Sequence, residues 1–220
     1  MYKHHISHTG VIGRLGVRGK RRGEDQENAI TGYSGDPRVY RQERPVSKGG
    51  RAMTERKTFV RIRNLDDLQA VIDRHVAEVQ LADPADTPAA LEAVGFGLLA
   101  TEALSGLLGS CEPSMSIAHY HVLAVVAGVL DALNPAPSLP RGIRNIHLEP
   151  TGAPEASWIQ PLTAGVGDLI AGINALFPQI AAVAADDIDR SAIAEGAHLS
   201  AELPRCYDGL LRVPSAGDES

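Results

Sequence analysis

Apolar side chains recur at helical spacing along the chain from about residue 65 onward. One stripe is formed by Leu65, Leu68, Val71, Ile72, Val76 and Val79. A repeat of three or four residues places such side chains on one face of an α-helix. Asn64 precedes the stripe and is a residue type that caps helix N-termini. The pattern therefore predicts a first helix over residues 65–81.

The next two predicted helices, over residues 88–108 and from 114 or 116 to 133, are apolar on nearly every side. Thr87 is expected to cap the former, with Pro88 at its first position. A helix without a polar face is usually covered on several sides. In the second of these helices, three small residues lie opposite a valine-rich face and would let another backbone approach closely: Ala124, Ala127 and Gly128.

A fourth helix is predicted over residues 163–185, and Pro178 within it is expected to kink or restart it. A last helix over 189–202 ends before Pro204. Residues 58–63 and 145–148 alternate like short strands and are expected to pair. The predicted fold class is mostly α: about five helices in a compact bundle, with one short two-stranded β element.

Three apolar segments raise the question of membrane spans. Glu102 and Asp168 interrupt two of them, and the segment over 115–130 is short for a span. No Lys or Arg occurs between Arg74 and Arg141 to orient such a span. We therefore expect no membrane span. The two cysteines have no paired spacing, which favours a reducing, cytoplasmic location.

Charge divides the chain into two parts. Residues 1–52 contain eleven Lys and Arg and five Asp and Glu, for a net charge of +6, and the remainder carries −12. The first part is Gly-rich and has no apolar period, so it is expected to be a disordered tail. The predicted domain spans 53–211, and 212–220 is a polar C-terminal tail. Alternatively, the native protein begins at Met53 and 1–52 is an upstream extension.

The basic cluster that runs from Arg18 to Arg22 suggests a binding function for the tail. Such a cluster can bind nucleic acid or an acidic partner. Elsewhere the chain is acidic, which makes nucleic-acid binding unfavourable.

Four side chains are candidates for a metal or ligand site: Glu102, His119, Glu195 and His198. Glu195 and His198 form a Glu-x-x-His pair on one helical face, a spacing that carboxylate-bridged di-metal bundles use twice. Here it occurs once. The alternative is that both residues are structural: Glu102 reaches the rim of an imperfectly buried helix, and His119 is a hydrogen-bonded core histidine. Trp158 is a candidate partner contact, or it fills one end of the bundle.

Residues 193–200, Ile-Ala-Glu-Gly-Ala-His-Leu-Ser, resemble the turn of the helix-turn-helix motif of DNA-binding repressors. The resemblance covers about a dozen residues and implies a transcription regulator that uses 189–203. His198 stands where that motif favours glycine, and Pro204 interrupts the place of the recognition helix.

No P-loop, dinucleotide-binding or Gly-x-Ser-x-Gly motif is present in the sequence. The predicted function is a non-enzymatic protein-association or regulatory module; its expected partner is another protein, and a second copy of the chain is one candidate. The alternative is a helical bundle that binds a metal or small ligand, and no cofactor is indicated. Surplus apolar surface on the second and third helices supports the first interpretation.

Overall fold

A computed structural model describes residues 39–48, 51–140 and 143–207, and their side chains over 58–140 and 145–207. The basic cluster from Arg18 to Arg22 and the predicted C-terminal tail, 212–220, lie outside these residues. Within them the chain forms five α-helices and a small sheet, which confirms the mostly α fold class.

The five helices follow the predicted periodicity closely. They are α1 (Leu65–Gln80), α2 (Thr87–Cys111), α3 (Ser116–Leu133), α4 (Ile159–Val183) and α5 (Asp187–Ser200). Asn64 caps α1 as predicted, since its side chain accepts a hydrogen bond of 2.9 Å from the backbone N–H of Asp67. The predicted cap of α2 is one residue off: Asp86, not Thr87, accepts the N–H of Ala89 at 3.1 Å.

Pro178 does not restart α4, which continues through it as one helix. The predicted end of α2 at residue 108 is also wrong, because the helix continues through Gly109 to Cys111. A β-carbon at Gly109 would lie 3.3 Å from the backbone of Ser116, so the glycine allows the start of α3 to pack closely. A glycine can therefore sit inside a helix because of tertiary packing rather than as a terminator.

Three strands form the sheet in the order β1 (Val39–Lys48), β2 (Arg51–Ile62) and β3 (Ile143–Pro150). The predicted pairing of the two short strands is confirmed, and it is parallel, with Phe59 opposite His147. Strand β1 pairs antiparallel with β2 and reaches into the segment that composition assigned to the tail. Ladder hydrogen bonds join backbone groups, so this hairpin requires no apolar period in its sequence.

Helix α2 lies at the centre of the helical layer, packed against α1, α3, α4 and the sheet. Its fully buried side chains include Leu91, Val94, Leu98, Leu104 and Leu108. They meet apolar residues of α4 such as Leu169 and Ile173 in one continuous core. Trp158 is 5% exposed and belongs to that core, so it offers almost no surface to a partner.

The expectations of no membrane span and of a cytoplasmic location are wrong. By length and composition, three helical segments can cross a membrane: Thr87–Cys111, Pro113–Leu133 and Ala156–Val183. Each helix is longer than the uninterrupted apolar segment in the sequence. The first continues through Glu102, the third continues through Asp168, and the second begins upstream of residue 115. One acid in a helix of this length costs only a few kcal/mol on insertion scales, so it does not exclude a span.

Candidate functional site

The charges of His119 on α3 and of His147 on β3 both act on the Glu102 carboxyl of α2. We call these three residues the Glu102 cluster. Burial raises the pKa of the half-buried Glu102 carboxyl, while the charges of His119 and His147 oppose the rise. Three elements, α2, α3 and β3, thus direct titratable side chains to one place. Such perturbed groups are common at functional sites.

Two neighbours fix the histidines of the Glu102 cluster. The His119 ring lies over Gly106 of α2, where an added β-carbon would be 3.2 Å from its Cε1 atom. His147 stacks on Phe59 of the adjacent strand, with ring centroids 5.5 Å apart and planes within 10°. A side chain at position 106 would displace the imidazole, so the glycine permits its position beside Glu102.

Three buried polar side-chain atoms lie near residues 105 and 106 of α2. Among the described side chains they are Ser105 Oγ, His119 Nδ1 and Tyr207 Oη. Burial raises the pKa of Tyr207 to about 12, and a hydrogen bond with Ser105 opposes the rise. Buried polar groups usually find a partner, and His119 Nδ1 is the atom of this set that has none among the described side chains.

The structure does not join the other two predicted ligands to this cluster. Glu195 and His198 are exposed on α5, and neither influences the pKa of Glu102. No group of three or more His, Cys, Asp or Glu residues in the described ranges is arranged to hold a metal ion. The Glu-x-x-His spacing therefore predicted a shared helix face correctly but not a convergent ligand set.

An acidic cleft of about 570 Å³ lies where α2 and α5 begin. Its carboxylates have structural partners. Asp86 and Asp186 cap the two helices, and Asp189 accepts hydrogen bonds from Ser138. These hydrogen bonds give the acidic side chains of the cleft a structural role.

Within the described residues, α5 is not followed by the second helix that a helix-turn-helix unit requires. It packs against α3 and α4, and a single turn of 3-10 helix, Pro204–Tyr207, follows it within the described residues. The DNA-binding hypothesis thus has no recognition helix in the part of the chain that the structure describes.

A second feature is the outward side of α3. Large apolar side chains are exposed there: Ile117 is 66% exposed, Tyr120 67% and Leu123 42%. The small residues Ala124 and Ala127 are exposed between them. We call these five residues the α3 outer face. Less than a third of the apolar window of Pro113–Leu133 is buried, against more than half in Thr87–Cys111.

The sequence predicted this face only in part. The small residues were expected to admit another backbone, and Ala124 and Ala127 remain free to do so. Gly128 instead turns towards α5, where an added β-carbon would lie 3.9 Å from Leu199.

No protein-family model matches the chain, and neither a curated protein nor a solved structure matches it.

Proposed function

We propose that this domain is an association module whose α3 outer face packs against a second apolar surface. One observation carries the proposal: three large apolar side chains are exposed on a single helix face. Contiguous exposed apolar patches mark interaction sites, because covering them removes apolar area from water. These side chains are not part of the core of the domain, so folding does not account for their apolar character.

The experiment replaces apolar surface without disturbing the core. Ile117→Gln combined with Tyr120→Gln removes exposed apolar surface and adds no charge. Leu81→Gln, at an 83% exposed position beyond the end of α1, is the matched control. We expect the full chain to self-associate in sedimentation velocity or to float with phosphatidylcholine vesicles. The double variant should lose this property, whereas Leu81→Gln retains it.

Two results would overturn the proposal. One is a wild-type chain that stays monomeric at several hundred micromolar and also fails to float with vesicles. The other is association that the double variant leaves unchanged. Circular dichroism and thermal unfolding of each variant verify that the fold is intact.

The Glu102 cluster supports a second candidate function, the binding of a small polar ligand. The supporting observation is the buried, unpartnered Nδ1 atom of His119 beside a carboxyl whose pKa is raised. A ligand that donates to the imidazole and to the carboxylate would satisfy both groups. Native mass spectrometry of the full chain tests this. A bound small molecule that Gly106→Val removes would support it, and an unliganded mass would contradict it.

A further inference from the structure

Of the three helical segments that can cross a membrane, the one that contains α3 is the least covered by the rest of the protein. Only 28% of the apolar window of Pro113–Leu133 is buried, against 39% for Ala156–Val183 and 56% for Thr87–Cys111. The inner side of α3 packs against α2 and α5, so the uncovered part is the α3 outer face. The core of the domain therefore does not explain the high hydropathy of this segment.

The same segment has no charged side chain except near its ends. Between Glu112 and Asp131 the sequence contains no Asp, Glu, Lys or Arg. A helical stretch of this length is about 27 Å long, which is close to the thickness of the hydrocarbon core of a bilayer. The two acids lie at the ends of the stretch, where they can remain among polar headgroups.

Helix α5, which carries several exposed charges, lies beside only the C-terminal half of α3. An added β-carbon at Gly196 would lie 3.1 Å from Leu133, and one at Gly128 would lie 3.9 Å from Leu199. The two helices are therefore antiparallel, and α5 ends at Ser200, one residue after its contact with the middle of α3. The three large exposed side chains of the α3 outer face lie in the N-terminal half of α3, away from the charges of α5.

From these observations we infer that the α3 outer face is covered by the acyl chains of a lipid bilayer with an anionic surface. The inference rests on the proposed function and names the apolar surface that binds. Ile117 and Leu123 enter the hydrocarbon, which removes their exposed apolar area from water. The ring of Tyr120 enters with them, while its hydroxyl stays at the level of the headgroups.

The basic cluster from Arg18 to Arg22 is the reason to expect an anionic surface. It contains four Lys and Arg and no acid. Clusters of this size are attracted to anionic headgroups. Arg22 lies 17 residues before Val39, the first residue of β1, and a chain of that length can extend over about 55 Å. Because a domain of this size has a radius of gyration of about 15 Å, the cluster can reach a bilayer that α3 contacts.

The shape of the α3 outer face also favours lipid over a protein partner. Ile117 and Leu123 lie on either side of Tyr120 and are about 9 Å apart along the helix. A protein partner must match such a spread surface with a complementary shape, whereas fluid acyl chains adapt to it. His121 is exposed at the edge of the face and can turn its imidazole towards the headgroups.

Fluorescence from a tryptophan introduced into the α3 outer face tests its contact with acyl chains. Trp158 is the only tryptophan of the chain and is 5% exposed, so the wild-type spectrum provides the background. With mixed vesicles of phosphatidylcholine and phosphatidylglycerol, Tyr120→Trp should emit at shorter wavelength and be quenched by brominated acyl chains. Leu81→Trp, at an 83% exposed position outside the face, should show neither change. Emission from Tyr120→Trp that the vesicles leave unaltered would overturn the inference.

Removal of charge tests the part of the basic cluster. Arg21→Gln combined with Arg22→Gln should weaken partition of the full chain into the mixed vesicles about tenfold, because each cation near an anionic surface adds to the attraction. Arg61→Gln combined with Arg74→Gln removes the same charge from exposed positions outside the cluster and should have little effect. Equal partition into mixed vesicles and into pure phosphatidylcholine would show that the basic cluster does not contribute and would overturn the anionic preference.

The remaining outcomes separate this inference from the proposed function. Ile117→Gln with Tyr120→Gln should lower partition into the mixed vesicles at least about tenfold. Self-association that this double variant abolishes, in a chain that does not bind vesicles, would overturn the inference and leave the proposed function standing. A chain that neither self-associates nor binds vesicles would overturn both. Vesicle binding that the double variant retains in full would mean that the α3 outer face does not contact lipid.

Discussion

Asp189 on α5 binds Ser138 through both of its carboxylate oxygens, although the residues are far apart in sequence. The backbone N–H of Ser138 donates to one oxygen at 3.1 Å, and its hydroxyl donates to the other at 2.6 Å. Asp189 is only 2% exposed. This pair fastens the Pro-rich segment after α3 to the first turn of α5, and so holds α3 and α5 in place together.

Removal of that carboxylate should destabilise the fold. Asp189→Ala leaves the N–H and hydroxyl of Ser138 without their partner, and we expect a loss of about 2 kcal/mol in the free energy of unfolding. Ser138→Ala keeps the backbone bond and should cost about 1 kcal/mol. Urea denaturation measures both, with Asp168→Ala on the exposed side of α4 as the control. Equal effects of Asp189→Ala and Asp168→Ala would show that the buried bonds contribute nothing.

Two glycines in α2 should respond in opposite directions to alanine. A β-carbon at Gly97 would lie 2.7 Å from a methyl of Val79 and 3.2 Å from Ile173, whereas nothing lies within 4 Å at Gly95. Gly97→Ala should therefore destabilise by about 1–3 kcal/mol through overpacking. Gly95→Ala should stabilise by up to about 1 kcal/mol because alanine favours the helix. Thermal unfolding compares them, and a common sign would refute the packing argument.

Glu78 should make stability fall in acid. A hydrogen bond from His75 at 3.0 Å, assisted by Arg74 at 2.9 Å, lowers its pKa from 4.5 to about 2, although burial opposes the shift. The folded state thus prefers the carboxylate. Its contribution is complete above about pH 5 and is lost as the pH falls towards 2. Because the carboxyl is partly exposed, we expect about 1 kcal/mol.

The measurement for Glu78 is the unfolding free energy of wild type and Glu78→Gln between pH 3 and pH 7. The difference should be largest at neutral pH and shrink in acid. Glu195→Gln, on the exposed side of α5, is the matched control. A difference that does not depend on pH would mean that the bonds to His75 and Arg74 do not stabilise the fold.

Glu102 should behave in the opposite way. Burial raises its pKa, so the folded state penalises the carboxylate, and the penalty is present above the folded pKa and absent in acid. Glu102→Gln should therefore stabilise the chain at neutral pH, and the gain should vanish as the pH falls. Denaturant unfolding at pH 7 and pH 4 tests this. A loss of stability at pH 7 would show that attraction to His119 and His147 outweighs burial.

Local pattern predicted the helices because their causes are local. The stripe from Leu65 to Val79 and the cap at Asn64 lie within the helix that they define. Gly109 and Pro178 lie inside helices that the local pattern predicted to stop or restart near them. Whether a helix continues through such a residue depends on tertiary packing, as between Gly109 and Ser116 or between α4 and its neighbours, and a local sequence pattern does not contain this information. Strand β1 was missed because the basic, Gly-rich composition of residues 1–52 determined the interpretation of that segment, although Val39–Lys48 pairs with β2.

The candidate site was only half predictable. Glu102 attracted attention because it is a carboxyl in an apolar helix, and His119 because it lies near an apolar face. His147 could not be found, since its position beside Glu102 depends on the parallel register of β2 and β3. Exposure of the α3 outer face was equally hidden, because an apolar sequence does not reveal which of its sides the fold covers.

The parallel pairing of β2 with β3 has a consequence for how the chain is made. On a ribosome, β2 emerges early, but Ile143 cannot pair with Glu55 until three helices have been synthesised between them. One edge of β2 must wait unpaired through that interval. Nascent chains on the same message could join through these edges, so slow translation between α1 and β3 would favour intermolecular strand exchange over the native sheet.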